Sequence, residues 1–575
     1  MAKRRDITAG LPTSLVRSEA AALVLLLCIT LLPRLCLAIG AVAPARDMLR
    51  YVEDARLFGE TSFPEFLRSS SSHPVYPVTL WTTHTLEVTL TGNDTPTSWW
   101  RVGKIVGIVS SLVFVAVSYL VGREIWSPRI AFWGCAIFAI LPRPARYAAD
   151  VLSDNVHAAL WMISFYLLLR WMRDGRRQHA LLAGLVAALA FATRVEAILL
   201  PMIAVASGGL VWCVDSLRTT RKPTFDSWRY GLALLCYVAA FLLPVGLLMG
   251  ASQRWTTSRS AQAMASRASK PVETFLASGS VDRLAGVDVT RYKRSQQEDQ
   301  HQRDQLLEIT GSSWRLPLPA VITAVLRFGK ELAQETRFWP LLFAIWGLLD
   351  LRARRLARWP SVVPAVVAIL ACSAALVLLR LKVGFLAGRY LLPILPLVAM
   401  VAATGLFAAR SRVTTGLRFA WERNWSSELF AIRRQIAFVG SVAMMALALS
   451  VPDWFRPLHP HRRGHLEAAA WLRSNTARSS TLFDPAGVSG FFADREVWEL
   501  GSAAEPATLP FDYAVIDPSL IFRTDLATHR TIARVDAMGD LVATFPSGAS
   551  TESADVFLYR IPSSLAAMTQ KGPSR

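Results

Sequence analysis

Asp47 opens the stretch Asp47-Met48-Leu49-Arg50-Tyr51-Val52-Glu53-Asp54, directly after the first long apolar run, Ala20 to Ala43. On a helix, Asp47, Arg50, Tyr51 and Asp54 share one face, because residues three and four apart stack along the axis. That face offers two carboxylates, a guanidinium and a phenol: a base beside a cation that binds an anion. The same residues also suit a solvated helix with local ion pairs, and spacing alone slightly favours that plainer reading.

Four further groups carry possible chemistry. His73-Pro74-Val75-Tyr76-Pro77 puts an imidazole and a phenol at the start of an apolar stretch, Pro74 to Leu90, interrupted by His84 and Glu87. Pro142-Arg143-Pro144-Ala145-Arg146-Tyr147 leads to Asp150 and Asp154, read as two acids one helical turn apart at a helix start that favours negative charge. Thr193-Arg194-Val195-Glu196 separates two apolar runs, and Arg380-Leu381-Lys382 precedes Gly388-Arg389-Tyr390-Leu391-Leu392-Pro393. Each has an ordinary explanation: proline at a helix start, helix-end electrostatics, or side chains snorkelling to a membrane surface.

The elements that must position these residues are membrane helices. The chain has 575 residues, 53% of them hydrophobic, and a mean hydropathy of +0.35. That is too apolar for an ordinary soluble protein. The net charge of +20 does not signal nucleic acid, because Lys and Arg recur in clusters between apolar runs, as in Arg170/Arg173/Arg176/Arg177 and Arg352/Arg354/Arg355/Arg358. This is the positive-inside pattern, and its content is orientation. All six cysteines lie inside apolar segments, which argues against a disulfide framework or a zinc site.

A span needs about 20 apolar residues. Candidates are 19–41, 99–121, 128–146, 150–171, 179–194, 197–215, 229–250, 337–351, 360–380, 389–409 and 435–452, about eleven in all. Lys3, Arg4 and Arg5 precede the first, so the N-terminus is expected in the cytoplasm and Asp47 outside. The first run also has a small-residue site near Ala38, as in a signal peptide; its length favours an uncleaved span. An odd count puts the C-terminus outside. The long external segments are then 42–98 and 251–336, with the apolar helix from about Pro74 to Leu90 lying at the interface. Residues 453–575 form a separate extracytoplasmic α/β domain, with a helix around His465 to Leu472 and strands at Thr481 to Phe483, Tyr513 to Ile516 and Val556 to Tyr559. Arg143, Arg146, Arg194, Lys382 and Arg389 all fall on the external face, opposite to where arginine is mainly expected. That departure points to an external site for a phosphorylated lipid.

The order of these motifs resembles the GT-C glycosyltransferases that use polyprenyl-phosphate sugars. Within them it resembles the group of protein O-mannosyltransferases and lipid A aminoarabinose transferases, with bacterial galacturonosyltransferase-like members. Asp47 and Tyr51 match the acidic motif after span one, with Met48 where a second acid can stand. His73-Pro74 matches a Lys/His-Pro-Pro stretch, with Val75 departing from it. Asp154 or Asp150 matches an acid that opens a span after a Pro-rich turn. Arg194 and the Arg-Tyr-Leu-x-Pro-x-x-Pro run from Arg389 to Pro396 complete the set, over roughly residues 10–452.

The resemblance implies an all-α polytopic membrane protein of GT-C type, with a transmembrane catalytic domain over residues 1–452. It implies transfer of a sugar from a polyprenyl-phosphate donor to an extracytoplasmic glycolipid, polysaccharide or protein, at a bacterial inner membrane. Asp47 would be the general base, with Asp154 as second catalytic acid. Arg50, Tyr51, His73, Tyr76, Arg143, Arg146, Asp150, Arg194, Arg389 and Tyr390 would bind the donor phosphate or substrate. No organic cofactor is expected; a divalent metal is left open, with Met48 arguing against it. The rival readings are a secondary transporter, disfavoured by the lack of an internal repeat, and a non-catalytic subunit of envelope polysaccharide assembly or export.

Overall fold

The computed structural model describes residues 19–217, 227–254, 283–284, 287–288, 318–349, 361–383, 387–421, 428–498, 509–517, 526–546 and 556–562. Most of the expected external segment 251–336 lies outside the described residues. Within them the chain is largely helical, and each of the eleven apolar runs coincides with a helix. The first part holds α1 (Glu19–Gly40), α2 (Arg46–Glu60), α3 (Phe63–Ser69), α4 (Val75–Thr91), α5 (Pro96–Ile125), α6 (Pro128–Ile140), α7 (Pro142–Ala149), α8 (Asp154–Asp174), α9 (Arg177–Phe191), α10 (Leu199–Leu217) and α11 (Ser227–Ser252). The later helices are Leu318–Glu335, Trp339–Leu349, Val362–Val383, Leu395–Trp421 and Glu428–Trp454.

By length and composition, five of the described helices suffice to cross a membrane, and α7 with α8 makes a sixth if the bent pair is one span. Four shorter apolar helices accompany them. The polytopic expectation therefore holds, while eleven separate crossings do not follow from helix length alone. The largest buried cluster joins α5, α6, α8 and α9 to the Leu395–Trp421 helix through residues such as Phe114, Phe138, Trp161, Phe191 and Met400. Arg34 sits fully buried in α1, where an unpartnered charge would be costly. Its guanidinium donates to Ser111 Oγ at 2.6 Å and to the carbonyls of Thr30 and Ala139 at 2.9 Å, tying α1 to α5 and α6.

The segment between α1 and α5 folds as α2, α3 and α4 over one end of the bundle. Met48, Tyr51, Val52 and Ala55 of α2 bury against Tyr76 and Leu80 of α4 and Trp99 and Val102 of α5. α4 matches the apolar helix read over Pro74 to Leu90. Its His84 is packed inside, stacked on Trp99 at 3.6 Å and hydrogen-bonded to Ser98 at 2.8 Å.

After Asp453 the chain builds a five-stranded sheet in the order Glu496–Val497, Thr481–Phe483, Tyr513–Ile516, Val556–Arg560, Asp540–Phe545. The first three strands run parallel and the last two join antiparallel. Alternating side chains fill the two faces. Val515 and Leu558 pack with Ala468 and Leu472 of the Arg463–Asn475 helix, while Ile516 and Phe557 pack with Ile532 and Val535 of the Leu526–Met538 helix. The small α/β unit expected in this region is therefore present.

Candidate functional site

Two ion-pair groups meet at the end of the bundle covered by α2. Arg389 Nη1 donates to Asp47 Oδ2 at 3.0 Å across 342 residues of sequence. Arg194 Nη1 donates to Asp154 Oδ1 at 2.8 Å, and the same guanidinium grips Glu196 with Nη2 at 2.9 Å and Nε at 3.3 Å. The Tyr390 ring joins the two groups, its centroid 5.1 Å from the Arg194 guanidinium and 5.9 Å from that of Arg389.

Local structure sets each of these side chains. Asp47 lies in the first turn of α2, where the helix dipole favours a carboxylate. Arg389 sits in the 3-10 turn Gly388–Leu391, just before a long helix. A Cβ on Gly388 would lie 2.0 Å from Glu335 Oε1, so only glycine lets this turn approach that carboxylate. Arg194 precedes the 3-10 turn Val195–Ile198 that follows α9. Asp154 opens α8 after an elbow of 113° with α7. Val151, inside that elbow, adopts φ 56°, an uncommon conformation for a β-branched residue. Gly103 of α5 makes the room, since a Cβ there would lie 2.2 Å from Val151 Cγ1.

The electrostatics follow from this geometry. Burial works against ionising Asp47, but the charge and hydrogen bond of Arg389, with Arg50 and Arg194 nearby, outweigh it and hold the carboxyl below its ordinary range. Burial likewise opposes the charge on Arg389, and Asp154 and Asp47 more than restore it. His73 is pushed down to about 4, mainly by burial and further by Arg194, His157 and Arg50. It is therefore neutral near pH 7 and offers a ligand a hydrogen bond rather than a charge. Asp154 Oδ2, Arg389 Nε and the Tyr76 hydroxyl are buried with no hydrogen-bond partner among the described residues. Buried polar atoms are usually satisfied, so these three mark a place that suits a polar ligand.

The structure thus gathers Asp47, Arg50, Tyr51, His73, Tyr76, Asp154, Arg194, Arg389 and Tyr390. Tyr51 meets Tyr76 edge-on at 4.8 Å, carries the Arg50 guanidinium 5.2 Å from its ring centre, and hydrogen-bonds Ser153 at 3.1 Å. Other residues go elsewhere. Arg143 is engaged by Glu335 Oε1 at 3.1 Å and Gln334 Oε1 at 3.2 Å, and Tyr147 donates to the same Glu335 oxygen at 2.9 Å. Arg146 is exposed. Asp150 and Asp154 are not one turn apart on a helix, because the elbow falls between them; Asp150 turns to His459 at 2.8 Å. The side chain of Lys382 lies outside the described residues.

The shared α2 face also divides. Asp54 is buried, and its carboxylate accepts from the backbone N–H groups of Ser71 and Ser72 at 2.9 and 2.8 Å and from both serine hydroxyls. Glu335 was not singled out in the sequence. The signal it left is a second acid, after Glu331, in the last turn of its helix, where the dipole disfavours negative charge.

Among the described residues, no three His, Cys, Asp or Glu side chains are grouped to hold a metal ion. Asp47 and Asp154 each accept a guanidinium at one carboxylate oxygen.

The profile of the dolichyl-phosphate-mannose-protein mannosyltransferase family matches residues 72–249, which span α4 to α11. No curated protein matches the chain by sequence. Among solved structures, the chain resembles an apo oligosaccharyltransferase from Archaeoglobus fulgidus, with a TM-score of 0.50 at 12% identity over 89% of this chain and 71% of that one. An archaeal oligosaccharyltransferase from the same organism, in complex with an inhibitory peptide and a dolichol-phosphate, matches at 0.50 and 12% over 90% and 70%. A complex with Zn and sulfate matches at 0.51 and 13% over 94% and 74%. At such identities the likeness shows the fold alone: this chain folds as those oligosaccharyltransferases do.

Proposed function

We propose that this protein is a membrane glycosyltransferase that moves a sugar from a polyprenyl-phosphate carrier to an acceptor on the far side of the membrane. The observation that carries the reading is the Asp47–Arg389 pair, set beside Arg194 and Asp154 on a GT-C fold. Dolichol-phosphate in one structural relative and the dolichyl-phosphate-mannose family profile support a lipid-linked donor.

In this reading Arg389 takes the donor phosphate, for which a planar guanidinium has the right fork of donors. The acceptor O–H or N–H attacks the anomeric carbon. A new bond forms to the sugar, the bond from that carbon to the phosphate oxygen breaks, and polyprenyl phosphate leaves with the electron pair. Asp47 takes the acceptor proton. Its depressed pKa makes it a weak base while Arg389 holds it. A phosphate on Arg389 draws that cation away, and the Asp47 carboxyl regains basicity as the donor seats. Arg194 stays committed to Asp154 and Glu196 and acts as fixed positive charge near the leaving group. Tyr51, Tyr76, Tyr390, Arg50 and neutral His73 shape the site. In this reading the N-terminus is cytoplasmic, as the basic loops favour, and Asp47, Arg389 and the C-terminal domain lie outside a bacterial inner membrane with about eleven crossings.

The test is release of polyprenyl phosphate. Purified protein in liposomes is given a panel of polyprenyl-phosphate sugars with an envelope extract as acceptor. Carrier release coupled to sugar transfer is the expected outcome. Uptake of a solute without carrier release from any donor would favour the transporter.

A further inference from the structure

The C-terminal sheet domain does more than cap the bundle, because it grips the chain on both sides of Asp47. Ahead of that residue, Val42 N–H donates to the Leu458 carbonyl at 3.1 Å, and Arg462 donates to the Pro44 carbonyl at 2.8 Å. At its flank, Arg46 donates to the Pro485 carbonyl at 2.9 Å. Just after it, Leu49 leaves the membrane-side cluster and joins the core of the sheet domain, buried with Leu472, Leu482, Val488 and Phe492. The fit there is close, since a Cβ on Gly487 would lie 3.1 Å from Leu49 Cδ1. Met48, one residue earlier, points the other way into the cluster with Val52 and Trp99. The first turn of α2 is therefore a strip between two hydrophobic cores, one in the bundle and one in the sheet domain. Successive residues of a helix point about 100° apart, so anchoring Met48 and Leu49 in opposite cores fixes the rotation of the helix. That rotation decides where Asp47 points.

We propose that the C-terminal domain positions Asp47, with Leu49 and Arg462 as the positioning residues, so that the site is incomplete without it. This rests on the reading of Asp47 as the base. Loss of orientation acts on the chemical step more than on donor binding, and a misplacement of about 1 Å costs as much as about 100-fold.

The experiment uses the full-length protein in liposomes with Leu49→Ala, Arg462→Ala and the double variant. Turnover, donor KM and hydrogen exchange of the α2 amides are measured together. The double variant is expected to lose about 10- to 100-fold in kcat, with donor KM changed by less than about twofold and faster exchange over residues 46–52. Leu49→Met, of similar volume, should restore most of the turnover. Arg462→Ala alone, which leaves both cores intact, should show a smaller change in the same direction. Unchanged α2 exchange, or faster exchange with unchanged kcat, would overturn the proposal. Asp47→Asn run in parallel separates the two readings: full activity there removes the base, while α2 exchange still reports whether the domain holds the helix.

Discussion

Asp54→Asn should damage this protein through stability, although Asp54 shares its helix with the proposed base. The Asp54 carboxylate is 5% exposed and accepts from four donors, two backbone N–H groups and two hydroxyls of Ser71 and Ser72. One carboxylate oxygen accepts only from Ser71 N–H and the other accepts the remaining three. An amide that puts its NH2 at the first position loses that hydrogen bond, worth roughly 1.5–3 kcal/mol to a charged acceptor, and turns a donor toward a donor. The cost is at least about 1.5–3 kcal/mol. Asp47 gives the contrast. Its side chain is 38% exposed and its partner Arg389 26% exposed, and a pair that open is worth no more than about 1 kcal/mol. Thermal unfolding of the purified variants in detergent separates the two. Asp54→Asn should melt well below the parent and Asp47→Asn close to it. Equal melting temperatures for Asp54→Asn and the parent would refute the assignment of Asp54 as the clasp of the Ser71-Ser72 turn.

Other outcomes follow from the same geometry. Arg389→Lys keeps the charge but loses the fork of donors, so transfer should fall at least about tenfold with donor KM raised; equal rates would leave Arg389 a snorkelling side chain. Gly388→Ala forces a Cβ to within 2.0 Å of Glu335 Oε1, so it should also lower transfer about tenfold or more, and a fully active variant would show that this turn is not held by Glu335. His73 is neutral when folded, with its pKa near 4 against an unfolded value of 6.5. As pH falls from 6.5 toward 4 the unfolded chain takes up a proton that the native state does not, which lowers stability by up to about 3 kcal/mol, while above pH 6.5 the group contributes nothing. His73→Gln should therefore flatten acid destabilisation in that window, and an unchanged slope in denaturant titrations would contradict it.

The helices were legible because apolar runs of membrane length leave a strong signal, and each of the eleven falls on a helix. Motif order carried much of the site: Asp47, Tyr51, Asp154, Arg194 and Arg389 were singled out from sequence and lie together. What could not be read was partnership. Asp47 and Asp54 have the same helical spacing, and only the fold sends one to Arg389 and the other to a serine turn. Asp150 and Asp154 read as one turn of helix, because nothing in Val151 announces an elbow that Gly103 of another helix makes possible. Arg143 read as an anion ligand, since its carboxylate partner, Glu335, lies 192 residues away. In the sheet domain, three of the five described strands are read from sequence. The two at the edges are not: Glu496–Val497 has only two residues, and Asp540–Phe545 exposes Leu541 and Val542.

The most direct measurement is single-turnover sugar transfer by Asp47→Asn, with a polyprenyl-phosphate donor that the parent protein uses. Removing a general base typically costs about 10²–10⁴-fold. The account predicts a rate loss in that range, with melting temperature and donor affinity close to those of the parent. Transfer at the parent rate, or a loss explained wholly by unfolding, would contradict it and make Asp47 a structural partner of Arg389.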